Sequence, residues 1–237
     1  NDFILDPLNP FGADVITNIR GEISGHTSLS GQLEKPQIEG SLVLDNAGLA
    51  IPYLNVGYDF AEATIITLKN QSFIFDKALM SDVDFQSQAY LSGNISHNNF
   101  SNWSLDLNID SDRLLVLNTI EQEESLYYGT AFVAGDIDVS GPTDQLFIEA
   151  NVGTSDGTIF KIPLNDSEIL SESSYISFLS PDQKTTKTTT RDFELDDVKG
   201  LEMEFNMDIN DNAEIEIVLN LGKCFFEYFK MDSSIFC

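Results

Sequence analysis

In the stretch "DLNIDSD", acidic or amide side chains fall at every second position: Asp106, Asn108, Asp110 and Asp112. A calcium loop opens with oxygens at that spacing, but it also needs a glycine for its sharp turn and a bidentate glutamate to close. Ser111 stands in the glycine position and Leu117 in the glutamate position. The stretch "DINDNA" (208–213) fails the same way, with Ala213 and Leu219 at those places. Both read as solvated strand faces. His26 and His97 are the only imidazoles, and neither has a second ligand at metal spacing, so both are expected at the surface or in turns. No serine or cysteine nucleophile motif accompanies them, which leaves acyl transfer without support. "GTSDGT" (153–158) lacks the Gly-Lys-Ser/Thr of a phosphate loop, and among the 39 acidic residues no pair is singled out for acid–base work. No catalytic residue, metal or cofactor is assigned.

Other motifs weigh less. Asn-x-Ser sequons at Asn70, Asn94, Asn99, Asn102 and Asn165 are what an Asn- and Ser-rich chain yields by chance. Trp103 has the chemistry of a sugar-stacking platform, yet its place on the apolar face of an alternating strand favours burial.

Composition narrows the class. Twelve Lys and Arg against 39 Asp and Glu give a formal charge of −27, a field that repels phosphate backbones and makes nucleic acid an improbable partner. Hydrophobic residues at 42% and aromatics at 11% supply enough apolar surface for a folded core. No apolar run reaches the length of a membrane-spanning helix, and "NDFILDPLNP" lacks the basic start of a signal peptide. The chain has no initiator methionine, so it is expected to be a piece of a longer protein. Cys224 and Cys237, both near the end, do not staple the main body.

Elements that must position any site are strands. "LEMEFNMDI" sets Leu201, Met203, Phe205, Met207 and Ile209 on one face and Glu202, Glu204, Asn206 and Asp208 on the other. "WSLDLNID" sets Trp103, Leu105, Leu107 and Ile109 opposite Ser104, Asp106, Asn108 and Asp110, and "AEIEIVL" aligns Ala213, Ile215, Ile217 and Leu219. Asp156-Gly157 predicts a tight hairpin between apolar runs, and Ser140-Gly141-Pro142 ends the preceding strand. About two helical turns are predicted around Thr119–Ser125. An apolar residue two before and two after a glycine recurs at Gly21, Gly31, Gly40, Gly93 and Gly135. Glycine inside strands marks bulges or close approach, so the recurrence predicts a sheet that bends repeatedly in one sense. Residues 1–220 read as one β domain, with a mobile loop over about 180–200 and a tail, 221–237, that breaks character.

The ordered segments "GSLVLDNAGLAIPYLNVGYDF" (40–60), "LSGNISHNNFSNWSLDLNID" (91–110), "LLVLNT", "LYYGTAFVAGDIDVSGP" and "GTIFKIPL" resemble the C-terminal domain of TamB, the translocation and assembly module subunit, in its Bacteroidetes form, over roughly Gly21 to Leu219. The resemblance implies an elongated, mainly antiparallel β-sheet curled into an open hydrophobic trough. It also implies a periplasmic protein anchored to the inner membrane of a Gram-negative bacterium and associated with outer-membrane protein assembly and phospholipid transport. The implied partners are phospholipid acyl chains and an Omp85-type outer-membrane barrel. After "EIEIVLN" the family continues with a Gly-rich strand, whereas this chain turns to "LGKCFFEYFKMDSSIFC", as a frameshifted or truncated frame would. Under this reading Trp103, Leu105, Leu107, Ile109, Leu201, Met203, Phe205, Met207, Ile209, Ile215 and Ile217 face the trough. A β-solenoid or sandwich from a surface adhesin, with a closed core, and a carbohydrate-binding β-sandwich are the alternatives.

Overall fold

The structure is a computed structural model that describes residues 2–12, 15–32, 35–122, 127–164, 201–211 and 213–219. The expected loop at 180–200 and the tail at 221–237 lie outside the described residues. Among the described residues, thirteen strands form one sheet: β1 (Phe3–Ile4), β2 (Thr17–Gln32), β3 (Lys35–Ile51), β4 (Val56–Phe60), β5 (Thr64–Lys69), β6 (Ser72–Asp82), β7 (Gln88–Asn98), β8 (Ser101–Thr119), β9 (Tyr128–Pro142), β10 (Leu146–Thr154), β11 (Ile159–Leu164), β12 (Leu201–Asp208) and β13 (Glu214–Leu219). A 3-10 segment, Asp6–Gly12, is the only helical element among the described residues. Pairing is antiparallel except where β12 and β13 run parallel to β10 and β11.

Two expectations are corrected. Thr119 closes strand β8, and 120–122 have no helical structure; the rest of that stretch lies outside the described residues. Asp156-Gly157 forms a turn but not a hairpin, because β10 and β11 do not pair with each other; both pair with β9. The chain makes a short excursion at 155–158 and then continues along the same neighbour. Thr158 pins this excursion, its Oγ1 donating to the carbonyl of Ser155 at 2.8 Å and accepting from the amide of Phe132 at 3.0 Å.

The same interruption recurs across the sheet. β4 and β5 run one after the other along β3, split at 61–63, and β12 and β13 are split at 209–213. Long strands between them carry irregularities of their own. Pairing shifts between Arg20 and Glu22 in β2, between Phe75 and Ala78 in β6, and between Ser111 and Leu114 in β8. Left-handed residues mark the line, Asn46 in β3 and Lys77 in β6 among them. Each bulge adds local bend and twist, so a row of them creases the sheet into a long half and a short half.

Curling is measured directly by strands that are not neighbours. β4 and β8 are separated by β6 and β7, which in a flat sheet would hold them about 14 Å apart. Instead, the Tyr58 hydroxyl donates to the Leu115 carbonyl at 2.8 Å, and the Asn118 amide donates to the Leu54 carbonyl at 2.9 Å. The short half therefore closes on itself around Tyr58, Leu114, Leu115 and Phe132. Polar groups at its centre pair with one another. The Ser87 hydroxyl accepts the Leu115 amide at 2.8 Å, and the buried Asp82 carboxylate accepts the amides of Asp84, Phe85 and Ser87 and the Ser87 hydroxyl.

Candidate functional site

In the long half, cross-strand register places apolar side chains in rungs on one face. One rung runs Leu42, Ile66, Phe75, Gly93, Leu107, Val139, Ile148, Met203 from β3 to β12. A second runs Ala78, Leu91, Ile109, Ile137, Ala150, Phe205, and a shorter one Leu68, Phe73, Ile95, Leu105, Gly141. The intervening residues, among them Asp106, Asn108, Asp110, Asp136, Asp138, Glu149 and Glu204, form matching rungs on the opposite face. There Asn108 donates to Asp138 at 2.9 Å.

Exposure along the apolar face is uneven: Leu91, Ala150 and Val152 are buried at 8%, 3% and 7%, and Leu107 and Ile109 pack against the buried core. Ile66 and Phe75 are buried at 5% and 9%. Leu107, Val139, Ile148 and Met203 are half-buried, while Phe205, Met207 and Ile209 stand open at 54%, 48% and 59%. The apolar face is thus covered at Ile66, Phe75, Leu91 and Ala150 and opens at the β12 edge, where Phe205 and Met207 extend the apolar floor of a groove. Gly93 has a definite part in it: with φ at +114°, a Cβ there would lie 2.1 Å from the Asp106 carbonyl oxygen of β8. Only glycine lets the two backbones approach so closely at this rung.

Of the residues predicted to face a trough, Leu105, Leu107, Ile109, Met203 and Phe205 occupy these rungs, Met207 pairs with Val152 on the next one, and Ile209 follows directly after β12. Leu201 pairs with Leu146, and its side chain lies outside the described ones. Trp103 sits at the β7–β8 end, packed with Phe73 at 6.1 Å and His97 at 4.8 Å between ring centroids. Ile215 and Ile217 pair with Phe160 and Ile162 across the crease, in the short half, and are not brought together with the rest.

His97 departs from expectation. It is 8% exposed, enclosed by Phe73, Phe100 and Trp103, with Nδ1 accepting the Phe100 amide at 3.1 Å. That bond leaves the neutral ring with its proton on Nε2, which finds no partner among the described residues. Burial holds its pKa below the ordinary histidine value. The signal was present in sequence, since His97 follows Ile95 by two and so shares the apolar face of β7. His26 is exposed. In the closed half, burial and then the Asp82 charge push the Tyr58 phenol above its ordinary value. Sequence reasoning also missed the rung residues of β5, β6, β9 and β10. Their alternation is visible, but nothing in one strand states which residue of the next it faces.

A groove of this kind, one sheet with an apolar floor and a carboxylate-studded back, is a general architecture until sequence relationships are added. The model of the TamB C-terminal domain family matches residues 80–222, more than half of the chain. The chain belongs to the TamB C-terminal domain family. Within this TamB domain the match starts at the end of β6 and takes in every described strand from β7 to β13, and so the whole opening of the groove. No curated protein and no solved structure matches the chain. The family is associated with the cell envelope, and no helix among the described residues is long and apolar enough to cross a membrane.

Proposed function

We propose that this TamB domain is a non-enzymatic, lipid-accommodating segment of a translocation and assembly module, one that supports outer-membrane protein assembly and phospholipid transport between the inner and outer membranes. In the full-length protein the segment works in the periplasm, tethered to the inner membrane, and its C-terminal side meets an Omp85-type barrel. The observation that carries the reading is the apolar edge of β12, where Phe205 and Met207 stand exposed at the end of rungs that continue inward to the buried Ala150 and Val152.

The physics suits a sliding guest. Each methylene removed from water contributes about 0.8 kcal/mol without regard to direction. An acyl chain lying across Leu107, Val139, Ile148 and Met203 is held by many small, equivalent contacts and exchanges one set for the next at little cost. Met203 and Met207 add flexible, polarizable surface that accommodates differing chain shapes. The carboxylates behind the sheet keep its back hydrated, which leaves the apolar face as the side that receives lipid.

Native mass spectrometry of the protein extracted from membranes tests this. Retained phospholipid is expected; its consistent absence would reject the reading. The Phe205→Asp variant gives a second measure. Because Phe205 is exposed, the fold should survive the charge while lipid retention falls several-fold.

A further inference from the structure

At the β7–β8 hairpin the apolar face of the long half ends in a cluster of four rings, Phe73, His97, Phe100 and Trp103. The hairpin tip is strained. Asn98 pairs with Ser101, so Asn99 and Phe100 form a two-residue turn, with φ at +51° and +58°. Such a turn takes positive φ at both central residues and suits Asn-Gly; asparagine fits the first place, but a bulky aromatic in the second is held against its own preference. That conformation persists only where the surroundings enforce it. Burial does not, because Phe100 is 57% exposed. The contacts Phe100 makes are chiefly with His97: its ring lies on the imidazole at 4.5 Å and 16°, and its amide donates to Nδ1 at 3.1 Å. The rings beneath are anchored from elsewhere. The His97 amide donates to the Gln71 carbonyl, and the Thr143 amide donates to the Trp103 carbonyl, both at 3.0 Å.

We propose that His97 is a proton-operated latch for this cap: neutral, it holds Phe100 over the end of the apolar face, and protonated, it releases the turn tip and uncovers Trp103 and Phe73. Protonation places a hydrogen on Nδ1, the atom that accepts the Phe100 amide, so two N–H groups then face each other where one bond had been. The new charge finds no opposite charge. β7 carries no charged residue, and β6, the turn and β8 present Phe73, Phe100 and Trp103 to the imidazole. Lys69, Asp76 and Asp106 alternate with the inward-facing Leu68, Phe75 and Leu105 of their strands and so point to the opposite face, while Asp144, in the turn that meets Trp103, is exposed. The rings offer cation–π attraction, but Nε2–H stays buried without an acceptor among the described residues. The imidazolium is relieved by moving the exposed, strained tip, the part of the cap with least to lose. The latch is a property of the packing and operates with or without a guest in the groove.

Trp103 is the only tryptophan of the chain and half-buried beneath the tip, so its emission reports the cap. The test measures acrylamide quenching of the purified chain from about pH 7.5 to about pH 5, where imidazoles titrate and most carboxylates stay charged. Quenching should rise several-fold on acidification while far-UV circular dichroism keeps its sheet signal. His97→Asn places an amide oxygen near the position of Nδ1 and does not titrate, so its quenching should stay flat although His26 remains. Phe100→Gly removes the covering ring and the strain together, and Trp103 should then be open at every pH. Flat quenching in the parent would overturn the latch, as would an equal rise in His97→Asn. A rise that accompanies loss of the sheet signal would overturn it too, since the whole fold is then opening. Phe100→Gly leaving Trp103 as shielded as in the parent at neutral pH would show that Phe100 is not the cover.

Discussion

At the scale of single residues, three side chains separate the jobs of wall, hinge and seal. Gly93→Ala forces a Cβ against the Asp106 carbonyl in a backbone conformation that only glycine tolerates, and should cost about 1–3 kcal/mol in a urea titration. Tyr58→Phe keeps the ring but removes the donor to the Leu115 carbonyl, at a cost of about 1–2 kcal/mol. It also has a pH signature. Burial raises the Tyr58 pKa in the fold, so above the unfolded value near 10 the unfolded chain loses its proton first and stability falls as pH rises; Tyr58→Phe should flatten that alkaline loss. His97 runs the other way. Its pKa is lowered by burial, so as pH falls through about 6.5 the unfolded chain takes up a proton before the folded one and stability drops; His97→Phe should reduce that acid slope relative to the parent.

At the scale of elements, the loop between β6 and β7 is organised by one carboxylate. Replacing Asp82 with Ala leaves the amides of Asp84, Phe85 and Ser87 without their acceptor at the seam between β4 and β8. A loss of about 2–4 kcal/mol is expected, measured by thermal or urea unfolding. The alternation of "WSLDLNID" and "LEMEFNMDI" was legible because one face of each strand is dry and the other wet, and both segments are strands in the structure. The glycine at Gly93 was legible as a site of close approach for the same local reason. What a single strand does not encode is its neighbour's register, so the rung joining Leu107 to Val139 and Met203 emerged only from pairing. The crease was illegible as well. Asp156-Gly157 reads locally as a hairpin turn, and only the shared partner β9 makes it an excursion within a continuing strand. That crease also explains why Ile215 and Ile217, which share the alternation of Met203 and Phe205, lie in the other half.

At the scale of the molecule, one sheet does two things: its short half closes around Leu115, which is 0% exposed, and its long half stays open toward β12. The net charge of −27 is carried in part by the carboxylate face of the open half, and like charges on one surface repel. Screening should therefore raise the melting temperature as salt is increased from about 20 mM to a few hundred millimolar. The central claim is that lipid lies on one face of the long half and not on the other, and adjacent positions of a single strand test it most directly. A photoreactive phenylalanine analogue placed at 205, and in separate proteins at 203 and 204, reports which face touches lipid when cells are irradiated. The account predicts lipid adducts at 203 and 205 and none at 204; equal labelling at all three, or labelling at 204 alone, would contradict it.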